Sequence, residues 1–368
     1  MADSIDKSVT DTKTTVEIPG AEEIIQDQQE KIEKVQSDGG PVEIEMDDQG
    51  GAEISFDPNA VTPEGGEEHF SNLAEFLDDG LLTELATTLS DKYTSYKESR
   101  ADWEDSYREG LDLLGFKYQR RTQPFRGASS VTHPVLAEAV AQFQATAYKE
   151  LLPADGPVRS QILGAVTPAK QDQANRVKDF MNYQLMDQMK EYEPEFDQML
   201  FYLPLAGSTF KKVYYDDLLG RAVSKFVHSD DLVVPYSATS LEDAEAVVHV
   251  IKMSENELRK QQVGGFYKDI DLGEPPVVEN QLTEKKQELE GITQNGQEDM
   301  YTLLEFHIDL DLEGYEDVNP EDNEPTGIKI PYVVTVDTAN TQILSIRRNY
   351  EAEDPLKKKI NYFVQFKF

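Results

Sequence analysis

Between Leu304 and Glu313 the chain alternates without a break, with Leu304, Phe306, Ile308, Leu310 and Leu312 on one side and Glu305, His307, Asp309, Asp311 and Glu313 on the other. A period of two marks a strand, and here it predicts one buried face and one wet face, the pattern of an antiparallel sheet. The same run holds the best metal-like constellation in the chain. Glu305, His307, Asp309 and Asp311 place ligand atoms suited to a divalent ion on one side of the strand. The alternation already accounts for all four as the solvated face of an amphipathic strand, which is the expectation; a metal-dependent hydrolase built on that face is the rival.

Composition narrows the function. The 368 residues suffice for two or three domains and a sizeable core. They hold 71 Asp or Glu against 35 Lys or Arg, a net charge of -36. Duplex affinity is built from cations neutralising phosphates, so a global nucleic-acid-binding surface is excluded and self-repulsion is expected. Without cysteine there is no disulfide framework, thiolate metal site or cysteine nucleophile. The start, MADSIDKSVTDTKTT, has no basic segment followed by an apolar one, and no run approaches the ~18 apolar residues of a membrane span, which predicts a soluble, non-secreted chain. P-loop, G-x-S-x-G, H-E-x-x-H, EF-hand and G-x-G-x-x-G patterns are all missing, and His69, His133, His228, His249 and His307 are scattered. The expectation is a protein that is not an enzyme and needs no cofactor.

Three regions follow from texture, predicting an α+β protein: an acidic arm over 1–68, a helical region over 69–206 and a β-rich region over 207–368. Residues 1–70 hold 19 Asp or Glu against 4 Lys, too little apolar area to offset ordering entropy, so the arm is expected to be disordered. Within it PVEIEMDDQGGAEISFDP alternates weakly; a fluctuating extended segment is the expectation, a strand added to a partner's sheet the alternative. From His69, Phe70, Leu73, Phe76, Leu77, Leu81, Leu85 and Leu89 form a helical stripe that Gly80 is placed to interrupt, and a second helix spans roughly Ser90 to Leu114. The cluster KYQRRTQPFR offers Arg120, Arg121 and Arg126 to phosphates or to a neighbouring subunit; a solvated loop paired with carboxylates is the plainer reading.

A helix with Thr132 as cap and Pro134 in its first turn is predicted to bury Val135, Leu136, Ala139, Val140, Phe143, Ala147 and Leu151. Thr167-Pro168 repeats the signal for a helix carrying Val177, Phe180, Met181, Leu185 and Met189. A short apolar helix after Pro194 leads into a hairpin, STFKKVYY and AVSKFV, turning at Gly220. Lys211 and Lys212, being adjacent on a strand, point to opposite faces. Ser254 to Glu257 is a capping box. The polar stretch QLTEKKQELEGITQNGQED reads as a short exposed helix or a disordered excursion, and IKIPYVVTVD, ILSIRRNY and KKINYFVQFKF as further strands. Ending on an apolar strand at Phe368 predicts an N-terminal portion of a longer protein, with a terminal strand clamped in a sheet as the alternative.

The phrases EGLDLLGFKYQRRTQPFRGASSVTHPVLAEAVAQFQATAYKELLPADGPV, LFYLPLAGSTFKKVYYD and SKFVHSDDLVVPYSATSLEDAEAVVHVIKMSENELRK resemble those of podovirus-type bacteriophage portal proteins, the head-to-tail connectors. The shared order is a helix, a Gly-led hairpin and a strand ending in a proline-bearing P-Y-S segment, over roughly Trp103 to Phe368. The resemblance implies a wing-like portal body and a homo-oligomeric ring, usually of twelve copies, at one capsid vertex of the virion, assembled in the host cytoplasm. It implies terminase, capsid or scaffolding protein and tail adaptors as partners, with double-stranded DNA passing through unread and no membrane insertion. Portals of this kind extend past position 368, so the channel-lining stem is expected in the remainder. An acidic assembly or adaptor protein without a channel is the alternative.

Overall fold

Strand and helix periods follow one another along the chain and fold into antiparallel sheets flanked by helices. The computed structural model describes strands 42–46 and 52–56, and residues 69–368 apart from 116–124, 126, 128–132, 217–218, 274–281, 283–284, 287–288, 290–299 and 319–323. Val42–Met46 (β1) and Ala52–Phe56 (β2) pair antiparallel, with Ile44 opposite Ile54. The two halves of the weak alternation are extended, as expected, and pair with each other, each satisfying the other's backbone groups. The rest of the arm, and with it the expected disorder, lies outside the described residues. The hairpin belongs to a unit, Met1–Glu68, separate from His69–Phe368.

In the second unit the helices are Asp79–Ser99 (α1), Ala101–Leu114 (α2), Val135–Leu151 (α3), Pro168–Tyr183 (α4) and Tyr192–Ala206 (α5). Gly207, in the left-handed region at φ 79°, then turns the chain into Ser208–Asp216 (β3) and Arg221–Val227 (β4). There follow Leu232–Val233 (β5), Ala246–Ser254 (β6), Glu255–Val263 (α6), Met300–Leu310 (β7), Ile330–Asp337 (β8), Gln342–Arg348 (β9) and Phe363–Lys367 (β10). Two antiparallel sheets result, one of order β5-β6-β7-β8-β9 and one of order β10-β3-β4. The chain is α+β.

One face of the larger sheet is the main core. Leu304, Phe306 and Ile308 of β7, with neighbours such as Val248, Val334 and Ile346, meet Leu82, Ala86 and Leu89 of α1. The expected stripe from residue 69 to Leu89 is not one helix. A 3₁₀ turn, Leu73–Glu75, comes first, and Asp78 caps α1 by accepting a hydrogen bond from Gly80, so that glycine opens a helix instead of interrupting one. Asn72 holds the turn against the sheet edge: its amide donates to the Leu344 carbonyl at 3.0 Å and accepts from the Ile346 N–H at 3.0 Å. Leu73 and Ala74 are buried as a result, while Phe70 and Phe76 stay exposed.

The second predicted helix breaks at Arg100, whose buried guanidinium donates to the carbonyls of Ser229, Leu232 and Asp230 at 3.2, 3.0 and 2.6 Å and to the Glu104 carboxylate at 2.9 Å. This ties the start of α2 to the segment between β4 and β5. The capping box at Ser254 and Glu257 is present, and Thr167 caps α4 through Lys170. The apolar face predicted for α3 is a core face only in part. Val140 is buried and Phe143 and Ala147 pack, half-buried, against Phe196, Met199 and Leu200 of α5, whereas Val135, Ala139 and Leu151 are exposed; α4 buries no residue at all. The polar stretch after Pro276 is helical at Leu282, Lys285, Lys286 and Leu289 and is not wholly exposed: Leu282 packs with Tyr107, Leu111 and Tyr202.

The outer edge of β4 is closed by side chains. The Glu195 carboxylate accepts from the Phe226 N–H, and Glu191 takes the Ser224 N–H and the Arg221 guanidinium. Because removing Arg100 strands three buried carbonyls, Arg100→Ala is expected to cost about 3 kcal/mol in urea unfolding. A loss below about 0.5 kcal/mol, the range of ordinary surface changes, would show the tie to be dispensable.

Candidate functional site

The polar side of β7 was expected to be wet, but at its centre it is dry. Glu305 and His307 lie beneath the smaller sheet, which brings Lys212 of β3 and Phe363 of β10 over them, with Tyr362 just before that strand. The physical reason is that β10 pairs with β3 and the two sheets pack face to face, so the alternation separates two buried faces. Asp309 and Asp311, farther along, are exposed.

At the centre the Lys212 ammonium donates to both Glu305 carboxylate oxygens, at 2.6 and 2.7 Å. His307 Nε2 lies 2.8 Å from Glu305 Oε1, and His249 Nδ1, directly across the β6–β7 register, lies 3.8 Å from the same oxygen. The Phe363 ring stands edge-on to both imidazoles, 5.6 Å from His249 and 5.1 Å from His307. Burial alone would push the Glu305 carboxyl upward; Lys212 and the two imidazoles outweigh it and hold the group well below the usual carboxylate range. Burial also lowers His307, partly countered by Glu305.

The four metal candidates therefore do not converge. Glu305 and His307 are together, but a lysine ammonium already occupies the place a cation would take between the carboxylate oxygens. Among the described residues no group of three or more His, Asp or Glu is arranged to hold a metal. The chemistry of the cluster is that of an ion pair that locks one sheet to the other.

Lys211 points the opposite way, as adjacent strand positions require. Its ammonium sits 4.3 Å from the Tyr192 ring centre and 5.4 Å from that of Phe196, and burial lowers its pKa to about 8 against the pull of Glu195 and Glu191. A further buried group joins the turn after β4 to the 282–289 stretch. Asp230 pairs with Lys286, and Asp231 is 3.8 Å from the same ammonium. Nearby His228, against Tyr202 and Phe226 at 4.7 and 4.4 Å, is pushed down to about 3 by burial and by Lys286.

The period of two puts Glu305 and His307 on one face, as the structure has them, but gives no sign of Lys212 and His249 as their partners. His133 is exposed at the entry to α3. Arg120, Arg121 and Arg126 lie outside the described residues. Two shallow clefts, of about 220 Å³ beside Arg100, Trp103 and Tyr236 and about 340 Å³ beside Gln144, Asp197 and Tyr202, are both away from the Lys212 cluster. No described helix is long and apolar enough to cross a membrane. Compared with known proteins, the chain matches no family model and no curated sequence.

Glu305→Gln leaves the Lys212 charge buried without its counter-ion and is expected to cost about 3–5 kcal/mol. Adding Lys212→Met should recover a substantial part, since an apolar pair carries no desolvation penalty; a double variant no better than the single one would show that the pair is not a unit. Acid acts on the histidines first. His228 and His307 titrate lower in the fold than in the unfolded chain, where a histidine titrates near about 6.5, so the unfolded state takes up protons first and stability falls as pH drops below that value. Glu305 adds its own loss only at lower pH, as it falls from the unfolded carboxylate value of about 4.3 through its depressed folded one. His228→Phe should flatten the limb that begins near pH 6.5, measured as urea midpoint against pH; an unchanged slope would remove His228 as its source.

Proposed function

We propose that this chain is a subunit of a ring-shaped phage portal, a conduit for DNA packaging and ejection at one capsid vertex and a platform for terminase and tail proteins. The observation that supports the reading is the succession of α5, left-handed Gly207, the β3–β4 hairpin and the Pro235-Tyr236-Ser237 segment, the order on which the resemblance of the sequence to podovirus-type portals rests. The β-rich body packed on helices fits the wing-like part of such a subunit.

The charge is in keeping with that role. A conduit has to guide DNA without gripping it, and a chain of net charge -36 repels phosphates along most of its surface. Internal pairing of lysines fits as well, since buried Lys211 and Lys286 and half-buried Lys212 are committed to internal contacts and do not offer sticking points. In this reading the duplex passes without sequence-specific contacts, and the ring, of about twelve copies, is closed by one heterologous contact repeated around an axis.

The same features serve an acidic capsid-assembly protein that forms no channel, and imaging separates the two. Negative-stain micrographs and native mass analysis of the purified chain are expected to give closed rings with a central hole and one copy number. Compact particles without a hole would favour the assembly protein instead.

A further inference from the structure

α4 and the segment before it form an arm whose apolar residues are not covered by any other described part of the chain. Val177, Phe180 and Met181 recur at helical spacing on one side of α4 and are 49, 59 and 43 % exposed, and Leu163 and Val166 ahead of it are 86 and 66 % exposed. The helix buries none of its 16 residues, and a helix of that length is marginal in water without an apolar face to bury.

The arm is nevertheless held in place. The Asn182 side-chain oxygen accepts from the Val158 N–H at 2.9 Å, and its amide nitrogen donates to the Val158 carbonyl at 3.3 Å and the Asp155 carbonyl at 3.5 Å. Gly156, at φ 90°, passes so close that a Cβ there would lie 2.5 Å from the Asn182 amide. Such anchoring lowers the ordering cost of an association that uses this face.

Charge indicates what covers it. Residues 157–190 carry five Lys or Arg, namely Arg159, Lys170, Arg176, Lys178 and Lys190, against three Asp, a net of +2 in a chain of net charge -36. Copies of so acidic a chain repel one another, and a contact between them is favoured where a basic, apolar element of one meets the acidic surface of the next. Such a surface is present on α1, where Glu84, Asp91 and Glu98 recur at seven-residue spacing and are all exposed.

We infer that the α4 arm docks on the acidic surface of a second copy of this chain, its Val177–Phe180–Met181 stripe forming the apolar centre and Arg176 the charged rim. The inference names the subunit contact within the portal reading and rests on that reading for the ring, but not for the existence of the contact.

The experiment is native mass analysis and sedimentation of the full chain, of Val177→Asp/Phe180→Asp and of Arg176→Glu. These residues are exposed, so thermal melting should show the fold intact in both variants. The double variant is expected to lose the oligomer, and Arg176→Glu to weaken association by about tenfold, with less difference from the parent in high salt. Rings that persist unchanged in the double variant would overturn this inference and leave the portal reading standing. A parent dimer abolished by the double variant would support the contact and overturn the ring. A parent that stays monomeric at all concentrations would overturn both.

Discussion

Everything in the larger unit depends on β7 being covered on both faces. Its even-numbered side chains, Leu304, Phe306 and Ile308, complete the core beneath α1, and its odd-numbered ones at 305 and 307 are sealed by the second sheet. A central strand with two buried faces fixes register on both, because a slip by one residue would exchange a Phe for a Glu in the main core. Helix α1 on one side and the three-stranded sheet on the other are therefore placed by the same strand.

The distribution of charge follows from this arrangement. In a chain where acids outnumber bases two to one, cations become the means by which distant segments are joined. Lys212 joins β3 to β7, Arg100 joins α2 to the segment before β5, Lys286 joins the 282–289 stretch to Asp230, and Arg221 joins β4 to the start of α5. Each such link is sensitive to loss of one partner, since what remains is a buried charge or carbonyl without its complement. Many of the other described acids, such as Glu84, Asp91, Glu98, Asp309 and Asp311, face solvent, where repulsion among them is screened and tolerable.

How much of this could be read beforehand varies with the range of the interaction. Local signals were legible: the capping box at Ser254, the Thr167-Pro168 helix start, the Gly220 turn and the opposed directions of Lys211 and Lys212. The alternation at β7 was legible too, but its solvent exposure was not, because what covers Glu305 comes from strands separated from it by tens of residues and periodicity reports only sidedness. The signal His249 carries is that of a lone imidazole in the otherwise apolar run Ala246–Ile251, on the same side of β6 as Val247 and opposite Glu305 in the register with β7. The stripe on α4 shows a converse limit: helical spacing groups Val177, Phe180 and Met181 on one face but does not say whether the cover of that face belongs to the same chain.

The carboxylates of Glu191 and Glu195 along the outer edge of β4 have a consequence for crowded assembly. Strand edges offer rows of free amides that invite any neighbouring strand to add on, and at the concentrations reached when many copies gather such additions grow without limit. Here side-chain oxygens already occupy the Ser224 and Phe226 amides. Copies brought together by other surfaces are thereby denied one route to stacking edge on edge into fibres, so association stays confined to contacts that can close.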